Sequence, residues 1–96
     1  MPAPDQAVRV IVQGRVQGVW FRGWTVETAR ALGLRGWVRN ENDGSVEAVL
    51  AGRPADVAEM IEHCHRGPPA ARVQSVTVGE WPDEVARGFH QLPNAT

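Results

Sequence analysis

The residues of this chain whose types and spacing suit chemistry gather in two short stretches, "GRVQGVWFR" at 14–22 and "GWVRN" at 36–40. The first follows an apolar run, "VRVIVQ", and precedes residues at helical spacing, so it is a strand-to-helix turn. A glycine-containing turn that opens a helix points several backbone N–H groups into one concavity, and the helix dipole adds partial positive charge there. Gly14 and Gly18 let the backbone take a positive φ and come close to a ligand. Arg22, in the first helical turn, can fork two N–H donors onto an oxyanion. Together these features describe an anion hole for a phosphoryl or carboxylate group. The pattern is neither a Walker loop nor the dinucleotide fingerprint, whose glycines are spaced differently. A plain βα turn, whose glycines serve only the bend, accounts for the same residues without a ligand.

The second stretch ends in Asn40, and the intervening elements decide where Asn40 lies. A helix from Arg22 to Leu32 travels about 16 Å away from the loop. A strand from Arg35 to Asn40 returns about 20 Å, which puts Asn40 at the loop's end of the sheet. A side-chain amide is no useful base near neutral pH, but it can hold a water through its donor and its acceptor together. Alternatively, Asn40 simply begins the "NEND" turn.

The positioning elements can be read from periodicity. Val8, Val10 and Val12 alternate with Arg9, Ile11 and Gln13, which predicts a strand over 7–13, with a loose tail at 1–6. Phe21, Thr25, Thr28 and Leu32 make the first helical stripe, ended by Gly33. Arg35 to Glu41 form a second strand, "ENDGS" a hairpin turn and "SVEAVLA" a third strand. Pro54 sits near the first turn of a second helix, whose stripe is Val57, Met60, Ile61 and Cys64. Asp56 and Glu59 lie early and His63, His65 and Arg66 late, as the helix dipole favours, and Gly67 ends the helix. "RVQSVTV" is a fourth strand, and "GFHQL" has the length of a short fifth. The order β-α-β-β-α-β predicts an α+β, ferredoxin-like sandwich: a mostly antiparallel sheet of four to five strands with two helices on one face.

Composition sets the outer bounds. A chain of 96 residues with 43% hydrophobic and 22% charged residues suits one globular domain, 1–96. A net charge of −1 gives no global field for gathering nucleic acid or an anionic membrane, so any anion must be held locally. The lone Cys64 allows no intrachain disulfide. "MPAPDQAV" lacks a basic segment followed by an apolar run, and no apolar run approaches the ~18–20 residues of a membrane span. The expectation is a cytoplasmic protein, with a monomer as the simplest state.

Both stretches resemble signatures of the acylphosphatase family. The resemblance covers roughly residues 7 to 80, including "DGSVE" and "GPPAARV". It implies that the amides of the loop (Arg15, Val16, Gln17, Gly18, Val19, Trp20) and the Arg22 guanidinium bind phosphate, and that Asn40 orients the attacking water. It also implies an enzyme that needs no metal and no cofactor, cleaving the carboxyl–phosphate bond of a small acyl phosphate to carboxylate and inorganic phosphate. The latter would be both product and inhibitor. The tail "FHQLPNAT" matches the family's last strand only loosely, and Trp20 occupies a variable position. The chemistry agrees with the residues present: an acyl phosphate is a mixed anhydride with a good leaving group, so positioning and charge neutralisation can supply most of the catalysis. No activated Ser, His or Cys stands near the loop, and a substrate oxygen can accept the water's proton.

Other residues have plainer readings. Consecutive positions on a helix point about 100° apart, so His63, Cys64 and His65 do not converge on one metal ion. Cys64 belongs to the core stripe. Trp20, Trp24, Trp37 and Trp81 invite a base-stacking reading, since RNA-binding modules share this topology, but the RNP1 pattern is missing and core or rim packing serves each. Arg15 either helps at the loop or faces solvent. Arg39 points to the sheet face opposite Asn40. The main competitor to an enzyme is a non-catalytic ferredoxin-like module that binds a phosphorylated metabolite or a protein partner.

Overall fold

The computed structural model describes residues 4–95. Its elements are β1 (Gln6–Arg15), α1 (Phe21–Ala31), β2 (Arg35–Asn40), β3 (Val46–Gly52), α2 (Pro54–Arg66), β4 (Arg72–Glu80) and β5 (Phe89–Gln91). They build one sheet of order β4-β1-β3-β2-β5. All neighbours pair antiparallel except β2 with β5, which is parallel. The strand expected at "GFHQL" therefore forms, at the sheet edge beside β2.

Alternation explains which face is covered. Val8, Val10 and Val12 of β1 stand opposite Leu50, Ala48 and Val46 of β3, and all six are buried. Val38 joins the Ala48 row from β2. Against this face α1 contributes Phe21 and Ala29, and α2 contributes Val57, Met60 and Cys64. Burying a side chain of this size is worth about 1.5–3 kcal/mol, so this shared face holds both helices in place. Ala29 is fully buried although the stripe expected for the first helix does not include it, while Thr28, Leu32 and Ile61 are only partly buried. Cys64 is 1% exposed, and burial pushes its thiol up to about 12, so it offers no thiolate for chemistry.

The opposite face carries charge. Glu47 accepts hydrogen bonds from Arg9 and, at 2.9 Å, from Arg39 Nε. Arg39 also meets Glu41 Oε2 at 2.8 Å and lies 5.1 Å from the Trp37 ring centroid. Burial opposes ionisation of Glu47, but hydrogen bonds and the positive charge of Arg9 outweigh it, holding its carboxyl below the ordinary range. Trp37 packs edge-on to Trp81 at 6.0 Å, and Trp24 edge-on to Phe21 at 5.2 Å. Arg39 thus faces away from Asn40, as the alternation requires.

Most element ends differ from expectation by one or two residues, and those of β1 bear on the site. The tail expected at 1–6 is shorter: Gln6 opens β1 opposite Gly52, and Asp5 accepts a hydrogen bond from Arg35 Nη1 at 2.7 Å. Residues 1–3 lie outside the described residues. At its other end β1 runs past Gln13 to Arg15, because a register shift between Gln13 and Gly14 carries the pairing with β4 further. At Gly14 φ is +129°, and a Cβ would sit 2.1 Å from the Arg72 carbonyl oxygen. This glycine serves the close approach of two strands rather than of a ligand. Among the described residues no helix is long and apolar enough to cross a membrane.

Candidate active site

The register puts the site together. Asn40 pairs with Val46, and Val46 pairs with Val12, so one cross-strand row ends at the point where β1 enters the loop. Side chains of that row project from the helix-covered face. Asn40 is therefore carried under the start of α1, as the helix-out, strand-back argument requires.

A cavity of about 110 Å³ opens there, lined by Val16, Gly18, Trp20, Phe21, Arg22, Gly23, Asn40 and Gln91. The N–H groups of residues 16–20 donate to no backbone carbonyl among the described residues. The helix adds the first N–H groups of its opening turn, which have no partner within α1. Gly18, at φ +73°, gives the loop its left-handed bend, and nothing lies within 4 Å of where its Cβ would sit. Anion-binding geometry of this kind is what the N-terminus of a helix and a glycine bend provide together.

Asn40 supplies the most telling atom. The residue is 6% exposed, and its Oδ1 is buried with no hydrogen-bond partner among the described residues. Buried acceptors are nearly always satisfied, and leaving one unmet costs about 1–3 kcal/mol. Here the unmet acceptor belongs to a cavity-lining amide. Its backbone is held firmly: Asn40 closes the β2–β3 ladder, and its carbonyl accepts from Ala95 N–H at 2.9 Å.

Of the residues expected at the site, Val16, Gly18, Trp20, Arg22 and Asn40 line one cavity. Arg15, Gln17 and Val19 do not. Arg15 is exposed and pairs with Arg72 at the end of β1. Gln17 turns its side chain away and donates Nε2 to the carbonyls of Glu41 at 2.8 Å and Ser45 at 2.9 Å, which fastens the loop to the β2–β3 turn. Val19 packs against the core. His63 lies 3.4 Å from Glu59, and His90 faces the Arg87 carbonyl at 3.1 Å, both away from the cavity-lining residues.

The tail adds residues that motif reading missed. Beyond β5 the chain stays beside β2: Leu92 N–H donates to Val38 at 2.8 Å, Pro93 has no N–H to give, and Ala95 makes the next bond. This path brings Asn94 Oδ1 to within 3.0 Å of Arg22 Nη1. Gln91 joins the cavity lining from the same segment. The only signal in the sequence was a polar Asn placed shortly after a short terminal strand, which is too common to single out.

Fold and site define a class: a two-helix, five-strand sandwich with a glycine-bent βα loop, an arginine and a buried amide around one cavity at one end of the sheet. Comparison with known proteins gives that class its family. The acylphosphatase family model matches residues 8–91. An acylphosphatase of Rhizorhabdus wittichii is 63% identical over 94% of this chain and 92% of its own length. One from Rhodospirillum rubrum is 52% identical over 88% of this chain and 93% of its own. Among solved structures, an acylphosphatase from Coxiella burnetii superposes with a TM-score of 0.88 at 35% identity, covering 92% of this chain and 93% of that one. The chain belongs to the acylphosphatase family, and it is an enzyme that hydrolyses acyl phosphates.

Proposed function

We propose that this chain, acting as a single cytoplasmic domain and as a monomer, hydrolyses small acyl phosphates by direct attack of water on phosphorus. The amides of the cavity-lining loop residues Val16, Gly18 and Trp20 and the Arg22 guanidinium hold the non-bridging phosphoryl oxygens. Charge spreads onto those oxygens in the transition state, so donors fixed beforehand stabilise it more than the ground state. Asn40 Oδ1 accepts a hydrogen bond from the attacking water and turns the water's lone pair toward phosphorus. The new P–O bond forms as the bond to the acyl oxygen breaks. That oxygen leaves with the electron pair as a carboxylate, and the water's proton passes to a non-bridging oxygen of the phosphoryl group. Neither a metal, a cofactor nor a covalent intermediate is required for this balance.

The observation that carries the reading is the buried, unpartnered Asn40 Oδ1 in the same cavity as Arg22 and the loop. The test is hydrolysis of benzoyl phosphate in chelator-containing buffer, followed by ultraviolet absorbance, with inorganic phosphate as inhibitor. The expected result is turnover with competitive inhibition by phosphate and a phosphate-dependent rise in Tm. Phosphate binding without turnover would instead make the loop a binding site for a phosphorylated metabolite.

A further inference from the structure

Trp20 bears several costs at once. It is the one non-glycine residue with positive φ among the described residues, at +69°, a conformation that disfavours side chains as large as indole. It is also 57% exposed, where large apolar side chains are usually covered. The helix start does not need it, because Trp20 makes no side-chain cap bond there and glycine would take this backbone without strain. A further cost falls on its neighbour. A Cβ at position 23 would lie 2.1 Å from Trp20 Nε1 and 2.7 Å from Cδ1. The indole therefore rests on the bare Cα of Gly23, and a glycine inside a helix is itself unfavourable.

These features share one outcome, a flat apolar surface fixed beside Arg22 and Asn40 at the cavity. Strain held at such a position points to function. The cavity is open to solvent, so a phosphoryl group held by Arg22 and the loop can leave the carbon part of the substrate on the open side, where Trp20 lies. The other aromatic side chains close to the loop cannot serve there: Phe21 is 2% exposed, and Trp24 packs edge-on against it.

We propose that Trp20 is a specificity-determining residue whose indole stacks on the acyl group, so that the enzyme favours planar, apolar acyl phosphates, aromatic ones above all. The proposal rests on the acyl phosphate chemistry described above. Stacked aromatic pairs gain from ring geometry beyond the area they bury. A substrate with only a methyl group would forgo that contact.

The test is the ratio of kcat/KM for benzoyl phosphate over acetyl phosphate, measured for the wild type, Trp20→Gly and Trp20→Phe. Each substrate's intrinsic reactivity is common to all three proteins, so changes in the ratio isolate contact with the acyl group. Glycine keeps the left-handed backbone while removing the ring. The ratio is expected to fall about tenfold or more in Trp20→Gly and to recover in greater part in Trp20→Phe. A ratio unchanged within twofold, with both substrates losing equally, would overturn the proposal and leave Trp20 as a loop-shaping residue. A Trp20→Phe ratio as low as that of glycine would also overturn it, since a second aromatic ring should stack. Wild type that turns over acetyl phosphate but not benzoyl phosphate would refute the platform while keeping the hydrolase. Turnover of neither would overturn both.

Discussion

Replacing Asn40 by leucine should separate activity from stability in opposite directions. Leucine keeps nearly the same bulk but removes both polar groups of the amide. In the folded protein Asn40 is 6% exposed and its Oδ1 has no partner among the described residues, so no hydrogen bond of that oxygen is lost. Removing an unmet buried acceptor recovers about 1–3 kcal/mol, and the lower end applies because water can reach the cavity. A gain of about 1 kcal/mol raises Tm by about 4–8 °C in a domain of this size. Activity should move the other way. Losing one fixed polar contact at the reacting centre typically lowers kcat by about 10²–10³-fold. Thermal unfolding and benzoyl phosphate hydrolysis on the same preparations give both numbers. A variant that keeps near-native kcat, or that loses about 5 °C or more in Tm where a rise of similar size is expected, would refute the reasoning, because Asn40 would then be a structural amide with a satisfied role.

Three further outcomes test other links. Arg22→Lys should lose about 10²–10³-fold in kcat/KM, because an ammonium cannot make the forked contact, and inorganic phosphate should inhibit it more weakly; steady-state kinetics decide both. Glu47→Gln should flatten the acid limb of stability: a carboxyl held below its ordinary range contributes stability above its unfolded value and loses it as pH falls through the folded one. Denaturant unfolding from pH 7 down past about 4.3, the ordinary glutamate value, should show wild type converging on the variant, and parallel curves would contradict it. Gly14→Ala should cost at least about 2–3 kcal/mol, since its φ is +129° and the new methyl would collide with the β4 backbone 2.1 Å away; an unchanged Tm would remove the close approach from the account.

The parts of this molecule that periodicity controls could be read directly. Val8, Val10 and Val12 announced β1, and Val57, Met60 and Cys64 announced the buried side of α2, because burial on one face leaves a fixed spacing. Asn40 could be placed from element lengths alone, since a helix out and a strand back are nearly commensurate. What spacing does not carry is contact between distant segments. Gly14 looked like a ligand-facing glycine, yet its neighbours are Arg72 and Gln74 on another strand. Gln17 enters the loop motif through its backbone amide alone, and its side chain fastens the loop to the β2–β3 turn, a contact that spacing does not show. Asn94 reaches Arg22 from 72 positions away, across a parallel edge pairing that no local pattern encodes.

The central claim is that water held by Asn40 attacks phosphorus, not the acyl carbon. Hydrolysis of benzoyl phosphate in oxygen-18 water, with chelator present and products resolved by mass spectrometry, tests it most directly. The account predicts the label in inorganic phosphate and none in benzoate. Label in the carboxylate would contradict it, because the loop, Arg22 and Asn40 would then be arranged around the wrong atom.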